Sequence, residues 1–139
     1  MTETPSFDDI RADFELLDDW EDRYRYLIEI GRTLEPLPDA LKTDATKVRG
    51  CASQVWVVTS RETGPGGTIL KFRGDSDAHI VRGLIALLLT IYSGLAPDKI
   101  LAVDAHAILS ELGLNEHLTP QRSNGLKSMI ERIRAEARV

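Results

Sequence analysis

The chain has 139 residues, of which 42% are hydrophobic and 28% are charged, and its net charge is -5. This length and composition predict a single domain over residues 1–139 with a core that needs no disulfide or metal to form. The acidic balance argues against nucleic acid as the main partner, since no stripe of Lys and Arg is present to neutralise phosphates.

The N-terminal part of the chain has the periodicity of two amphipathic helices. Ser6 followed by Asp9 resembles a capping box at the start of the first helix, and apolar residues then recur every three or four positions. A second helix begins after a cap at residues 18–19 and ends before the prolines of 36–38. We expect these helices to pack as a hairpin on an apolar partner.

The middle of the chain predicts an antiparallel hairpin. Residues 53–61 are rich in β-branched and aromatic side chains, residues 63–67 (Thr-Gly-Pro-Gly-Gly) are typical of a turn, and residues 68–73 alternate as a second strand. Two strands alone are only marginally stable, so a third is expected. Residues 99–103 are the candidate, although this short apolar run could equally be helical.

A helix over residues 80–92 is apolar on nearly its whole circumference and is therefore predicted to be the central core element. Asp75 and Asp77 could be paired catalytic carboxylates, but their position before this apolar run favours helix capping. A short helix over 104–112 and a last helix after the loop at 119–125 complete the chain. The predicted fold class is α+β, a small antiparallel sheet of about three strands covered by helices.

The sequence also predicts the cellular compartment of the protein. Residues 1–9 lack a basic segment followed by an apolar one, so we expect no secretory signal. The longest apolar stretch, 83–96, is shorter than the roughly 20 residues that cross a bilayer. A single cysteine cannot form an internal disulfide, which is typical of a reducing compartment. We therefore predict a cytoplasmic protein with no membrane partner.

Several common site chemistries lack the residues that they need. The cysteine and the three histidines (His79, His106 and His117) have no paired ligand spacing, so no metal is predicted. The glycine-rich segment 64–67 contains a proline and no following Gly-Lys-Ser/Thr, so it indicates a hairpin turn and not a phosphate loop. The Gly-x-Ser-x-Gly motif of serine hydrolases is absent from the sequence.

Cys51 is the remaining candidate nucleophile. Free cysteines usually pack as inert small hydrophobes, but this one lies where a polar loop leads into a strand. Its neighbours in the segment 50–53 (Gly-Cys-Ala-Ser) are small and should leave access to the sulfur. Lys47 and Arg49 supply positive charge, which is expected to lower the thiol pKa from about 8.5.

The presence of one cysteine limits what that thiol could do. A dithiol oxidoreductase needs a resolving cysteine, and a cysteine hydrolase needs an activating histidine with a third orienting group. A sulfur carrier needs only one thiolate, which attacks the outer sulfur of a persulfide on a partner. Two alternatives stay open: a single-cysteine thiol enzyme, and a non-catalytic regulator in which Cys51 is structural.

The segment around the thiol resembles a known family. Residues 50–56, Gly-Cys-Ala-Ser-Gln-Val-Trp, are similar to the Gly-Cys-x-Ser-x-Val-Trp signature of the SufE family of sulfur acceptors. Three further segments resemble the family in order and spacing, and together they extend the resemblance over nearly the full chain: 20–31, 74–84 and 117–126.

This resemblance implies a fold like that of iron–sulfur scaffold proteins, with three antiparallel strands and the acceptor thiol on a loop. It implies that Cys51 takes sulfane sulfur from the persulfide of a pyridoxal-phosphate (PLP) cysteine desulfurase, SufS-like or CsdA-like, and stimulates that enzyme. The sulfur would then pass to a SufBCD-like scaffold complex. The PLP belongs to the partner, so the resemblance implies no cofactor on this chain and no catalysis apart from transpersulfidation.

The resemblance also implies supporting residues. Gln54, Asp75 and Arg122 match polar positions that lie around the acceptor loop in the family. We hypothesise that Arg122 holds the loop or favours the anionic persulfide, and that Asp75 helps to lock the resting loop. The alternative for Arg122 is an ordinary contact at the start of a helix or a surface salt bridge, which contributes little.

Overall fold

The computed structural model describes residues 5–51 and 53–139. Residues 1–4, part of the segment searched for a signal, and Ala52, one of the small neighbours of the thiol, lie outside the described residues. A short 3-10 helix at Asp39–Leu41 precedes the first strand. The other elements, in chain order, are α1 (Phe7–Leu16), α2 (Trp20–Gly31), β1 (Val55–Gly64), β2 (Gly67–Ser76), α3 (His79–Tyr92), α4 (Pro97–Ala102), α5 (Ala105–Glu111), α6 (Leu114–His117) and α7 (Pro120–Arg138).

Local capping explains where the helices begin. The Ser6 hydroxyl accepts a hydrogen bond from the Asp9 amide at 3.2 Å, which confirms the predicted start of α1. The Asp19 carboxylate accepts one from the Glu21 amide at 2.9 Å at the start of α2. Thr119 caps α7, with a proline at the first helical position where its missing N–H is not needed.

The sheet is an antiparallel hairpin of β1 and β2, paired from Val55↔Ser76 to Gly64↔Gly67. Strand β1 begins two residues later and ends three residues later than predicted, so that it reaches the two-residue turn at 65–66. Strand β2 begins one residue earlier than predicted and ends three residues later. Among the described residues the sheet has two strands, and isolated bridges (Lys47↔Trp56 and Leu70↔Leu95) extend its edges. The α+β class is confirmed, and the sheet is smaller than the three strands expected.

The strand predicted at 99–103 is wrong, and its helical alternative is confirmed. Pro97 occupies the first position of α4, where its fixed φ favours a helix. Ile100 is fully buried on that helix. A five-residue apolar run has no periodicity long enough to separate a strand from one helical turn.

Helix α3 is the centre of the core, as its apolar circumference predicted, and it packs between α2 and β2. Two glycines allow α2 and α3 to meet backbone to backbone. A Cβ at Gly83 would lie 2.2 Å from the carbonyl oxygen of Leu27, and one at Gly31 would lie 2.6 Å from the amide nitrogen of Gly83. No helix within the described ranges is both long and apolar enough to cross a bilayer.

The capping role predicted for Asp75 and Asp77 is wrong. Ala78 is the N-cap of α3, and no side-chain cap bond is made there. Strand β2 continues to Ser76, whose hydroxyl accepts a hydrogen bond from the Ala78 amide at 3.2 Å. The two carboxylates are therefore free to bond elsewhere, and both hold segments that lead to the candidate site.

Candidate functional site around Cys51

The segment before Cys51 is held on two sides. On the sheet side, the Val48 amide donates to the Val55 carbonyl at 2.8 Å, and the Val57 amide donates to the Thr46 carbonyl at 2.9 Å. On the helix side, Arg132 of α7 donates to the Lys47 carbonyl at 3.1 Å and also to the Ala45 carbonyl. The thiol therefore follows a segment anchored to both β1 and α7.

Gly50 makes the turn that directs the chain toward Cys51. Its φ is +88°, in the left-handed region that side-chain-bearing residues rarely adopt. A Cβ at this position would also lie 2.5 Å from the Ser128 hydroxyl oxygen of α7. Backbone conformation and close approach thus both require glycine immediately before the thiol.

The Cys51 thiol is half-buried against α7. Its Sγ donates to the carbonyl oxygen of Gly125 at 3.5 Å, and a Cβ at position 125 would contact the same sulfur. Burial raises the pKa of the Cys51 thiol in this conformation. The expected lowering of that pKa by Lys47 and Arg49 is therefore not observed, because desolvation dominates where the thiol packs on the helix.

A cleft of about 200 Å³ lies beside the thiol, between its loop, α3 and the first turns of α7. Its base is apolar and its rim, at the start of α7, is polar. The residues that line it are Cys51, Ser53, Val55, Val81, Leu84, Thr119, Gln121, Arg122, Gly125 and Met129. This space adjoins the sulfur on a side that is not filled by protein.

Arg122 lines the same cleft as Cys51. Its backbone amide donates to the capping hydroxyl of Thr119 at 3.2 Å. Its side chain is exposed, and no carboxylate among the described residues pairs with its guanidinium. The guanidinium is thus available to an anion in the cleft, whereas the surface salt bridge considered as an alternative is not formed.

Gln54 lies on the other side of the loop and is exposed. Its amide donates to Oδ1 of Asp77 at 3.1 Å, and its carbonyl accepts a hydrogen bond from the Asp77 amide at 3.4 Å. Asp77 therefore holds the backbone where the loop enters β1. Sequence reasoning missed this role, because nothing in the local pattern indicates a contact 23 residues away.

Asp75 is almost fully buried, with 3% of its surface exposed. Its carboxylate pairs with Arg82 and accepts hydrogen bonds from the amides of Leu37, at 3.1 Å, and Ser76, at 2.8 Å. Lys42 lies 3.6 Å from the same carboxylate. Asp75 thus fixes the connector after α2, and its predicted effect on the loop would have to be indirect.

The described residues contain no group of three or more His, Cys, Asp or Glu placed to hold a metal ion. All three histidines discussed above are exposed, and all lie in the C-terminal half of the chain. His117 stacks on the ring of Trp20, with centroids 3.9 Å apart, and its Nδ1 lies 3.0 Å from the Gly113 carbonyl oxygen. These contacts tie α6 to α2.

Comparison with known proteins gives consistent matches over nearly the whole chain. The family SufE, described as an Fe-S metabolism associated domain, matches residues 8–137. An uncharacterized SufE-like protein of Rhizobium etli is 56% identical over 134 residues, which cover 96% of this chain and 90% of that protein. One from Rhizobium meliloti is 52% identical over 132 residues, covering 95% of this chain and 94% of the relative.

The fold also has a solved counterpart. The solution structure of a hypothetical protein from Thermus thermophilus superimposes with a TM-score of 0.74. The similarity covers 99% of this chain and 96% of that one, at 24% sequence identity. At this identity the superposition supports the fold, and the chemistry has to be argued from the residues of this chain.

Proposed function

This chain belongs to the SufE family, which is associated with Fe–S metabolism, and we propose that it serves there as a sulfur carrier whose acceptor is Cys51. The observation that carries the proposal is the placement of the only cysteine on a loop beside an open cleft. A thiol with this setting can accept one further sulfur atom without rearrangement of the core.

The proposed transfer is a displacement at sulfur. The Cys51 thiolate attacks the outer sulfur of a persulfide on a partner cysteine, a new S–S bond forms, and the old S–S bond breaks. The partner cysteine leaves as a thiolate, and Cys51 holds the persulfide. One sulfur atom moves with its electrons balanced, so no external oxidant, reductant or metal is required on this chain.

The resting site has one feature that limits the reactivity of the free thiol and another that would stabilise the persulfide. Burial raises the thiol pKa, so the resting Cys51 carries less thiolate than an exposed cysteine would. A persulfide is more acidic than its thiol and is anionic at neutral pH. The Arg122 guanidinium, which pairs with no carboxylate in residues 5–51 and 53–139, lines the cleft and is the group that would stabilise that anion.

We propose that the sulfur donor is a PLP-dependent cysteine desulfurase, SufS-like or CsdA-like, and that the acceptor is a SufBCD-like scaffold complex. The donor's cofactor stays on the donor. The transfer requires a reduced thiol, which fits a reducing compartment such as the cytoplasm. In this proposal the chain also stimulates the desulfurase, because removal of the persulfide frees the donor cysteine for another turnover.

The test is to incubate the protein with a cysteine desulfurase and cysteine and to measure its intact mass. We expect a reductant-labile gain of one sulfur atom in the wild type and none in Cys51→Ser. Absence of any gain in the wild type, with an active desulfurase, would refute the carrier role. If Cys51→Ser stimulates the desulfurase as well as the wild type does, the regulator with a structural cysteine is favoured instead. Turnover of a small substrate without any desulfurase would favour the thiol enzyme.

The role of Arg122 has its own test. Arg122→Ala should reduce the amount of persulfide that accumulates on Cys51, and Arg122→Lys should restore part of it because the positive charge is kept. Lys127→Ala is the matched control, since Lys127 is a cation on the same helix that does not line the cleft. Equal persulfide in Arg122→Ala and the wild type would remove Arg122 from the site.

A further inference from the structure

Three residues of α7 contact the Cys51 loop from one side. Gly125 accepts the bond from Sγ of Cys51, and the Ser128 hydroxyl oxygen would lie 2.5 Å from a Cβ at Gly50. Arg132 donates to two main-chain carbonyls of the segment before the thiol. Residues 125, 128 and 132 are separated by three and four positions, so they share one face of the helix. Arg132 is the member of this set that carries a charge.

The Arg132 side chain holds both carbonyls at once. Its Nη1 donates to the Lys47 carbonyl oxygen at 3.1 Å, and its Nη2 donates to that of Ala45. Its Nε donates to Oε1 of Glu136, one turn further along α7, at 3.2 Å. Glu136 thereby orients the guanidinium, whose planar fork of donors can serve two acceptors at the same time. One side chain therefore links α7 to two points on the main chain.

These bonds matter to the thiol because they join its loop to the helix on which it packs. The bonds to β1 described above hold the same segment to the sheet, and they would persist if the loop and α7 separated. The contact of Sγ with Gly125 is weak, since a thiol is a poor hydrogen-bond donor. Bonds from a charged donor are stronger than those from a neutral one, so Arg132 makes the strongest polar contact of the three.

We propose that Arg132 is a positioning residue for sulfur transfer, which keeps the Cys51 sulfur against α7 before and after the persulfide forms. Arg132 does not line the Cys51 cleft, so it acts on the sulfur through the main chain of residues 45–47. The role in transfer rests on the proposed carrier function. Loss of the guanidinium should let the loop and α7 separate more often and expose the sulfur.

The first test measures the exposure of the free thiol and needs no partner protein. Cys51 is the only cysteine, so an aromatic disulfide reagent reports on it alone. Arg132→Ala should react about three- to tenfold faster than the wild type, the effect of a net loss of about one hydrogen bond. Arg132→Lys should restore part of the protection, because an ammonium keeps the charge but lacks the fork that serves two carbonyls.

Arg134→Ala is the matched control. Arg134 lies on the same helix and donates to the Leu101 carbonyl of α4 at 3.1 Å, so its loss removes a similar bond that does not involve the Cys51 loop. This variant should react within about twofold of the wild type. Urea unfolding of both alanine variants separates a local release of the loop from a general loss of stability.

The second test measures the exposure of the persulfide. Each protein is loaded by a cysteine desulfurase and cysteine, separated from the donor, and treated with a water-soluble triarylphosphine. The phosphine takes the terminal sulfur as phosphine sulfide and leaves the Cys51 thiolate, so the reaction is followed as the loss of one sulfur atom from the intact mass. Arg132→Ala should lose this sulfur about three- to tenfold faster than the wild type, and Arg134→Ala should not.

The positioning role is overturned if Arg132→Ala matches the wild type within about twofold in both tests. It is also overturned if Arg134→Ala is accelerated as much as Arg132→Ala, because the effect would then be a general one on α7. A wild type that takes up no sulfur would refute the carrier function and with it the role of Arg132 in transfer. The labelling rates of the free thiol would still show whether Arg132 holds the loop, so the two failures are distinguishable.

Discussion

Replacement of Gly50 by alanine tests how the Cys51 loop is held. Alanine at a φ of +88° costs about 1–2 kcal/mol, because its Cβ approaches the following carbonyl oxygen. The same Cβ would lie 2.5 Å from the Ser128 hydroxyl oxygen, which adds a steric cost. The second cost can be removed separately. In Ser128→Ala the hydroxyl is gone, and the remaining Cβ, 3.5 Å away, is an ordinary contact.

The expected consequence is faster chemical modification of Cys51. The thiol is half-buried and bonded to the Gly125 carbonyl, so a bulky disulfide reagent reacts when the loop leaves this position. A destabilisation of 1–2 kcal/mol raises the population of the displaced loop about 5- to 30-fold while that population is small. The backbone cost alone should make Gly50→Ala react about 5- to 30-fold faster than the wild type, and the steric cost should raise the rate further. The reaction is measured by the release of the coloured thiol.

The double variant Gly50→Ala/Ser128→Ala should react at an intermediate rate, since only the backbone cost remains. Gly66→Ala is the matched control, because a Cβ there meets nothing within 4 Å. Urea unfolding of each variant shows whether the effect is local or global. A Gly50→Ala rate within about twofold of the wild type would show that the closed loop bears neither cost. A double variant that reacts as fast as Gly50→Ala would show that the contact with Ser128 adds no cost.

Three other substitutions or conditions have defined outcomes. Gly83→Ala should lower the free energy of unfolding by about 3 kcal/mol, because its Cβ would overlap the Leu27 carbonyl. An unchanged urea midpoint would contradict this. Asp75→Asn leaves Arg82 without its buried carboxylate and should lower the free energy of unfolding by about 3 kcal/mol in the same assay. A decrease below about 0.5 kcal/mol would show that the fold does not need this ion pair. Burial raises the pKa of Cys51 in the folded state, so the thiol ionises at a lower pH in the unfolded chain than in the folded one. The wild type should therefore lose stability relative to Cys51→Ser as the pH rises past about 8.5, the pKa of a free thiol. A difference between those two proteins that does not vary with pH would argue against a buried thiol.

The features of the fold that the sequence predicted correctly are formed by residues that are close together in the chain. Ser6 and Asp19 cap helices through bonds to amides three and two residues away, and the turn at 65–66 follows from its glycines and proline. Helix α6 was not predicted, and the choice between strand and helix at 99–103 was left open. Both are too short for a periodic pattern to decide their type.

The candidate site shows which features the sequence pattern does not predict. Sequence identified Cys51 by its loop and by the absence of helpers for other chemistries, and its persulfide role stays a prediction. The expected direction of its pKa shift was wrong because the thiol is half-buried where it contacts α7 at Gly125, 74 residues away. The contact of Asp77 with the Gln54 backbone has the same character: it exists only after the sheet and the helices are assembled.

The crossing of α2 and α3 has a consequence for which parts of the molecule can move. Packed helices can slide past one another in small steps, but Gly31 and Gly83 place backbone close to backbone, so sliding at this crossing would bring main-chain atoms into collision. The α2–α3 pair therefore acts as a fixed platform. Any displacement that brings Cys51 out to a partner must be taken up by its own loop and by the first turns of α7.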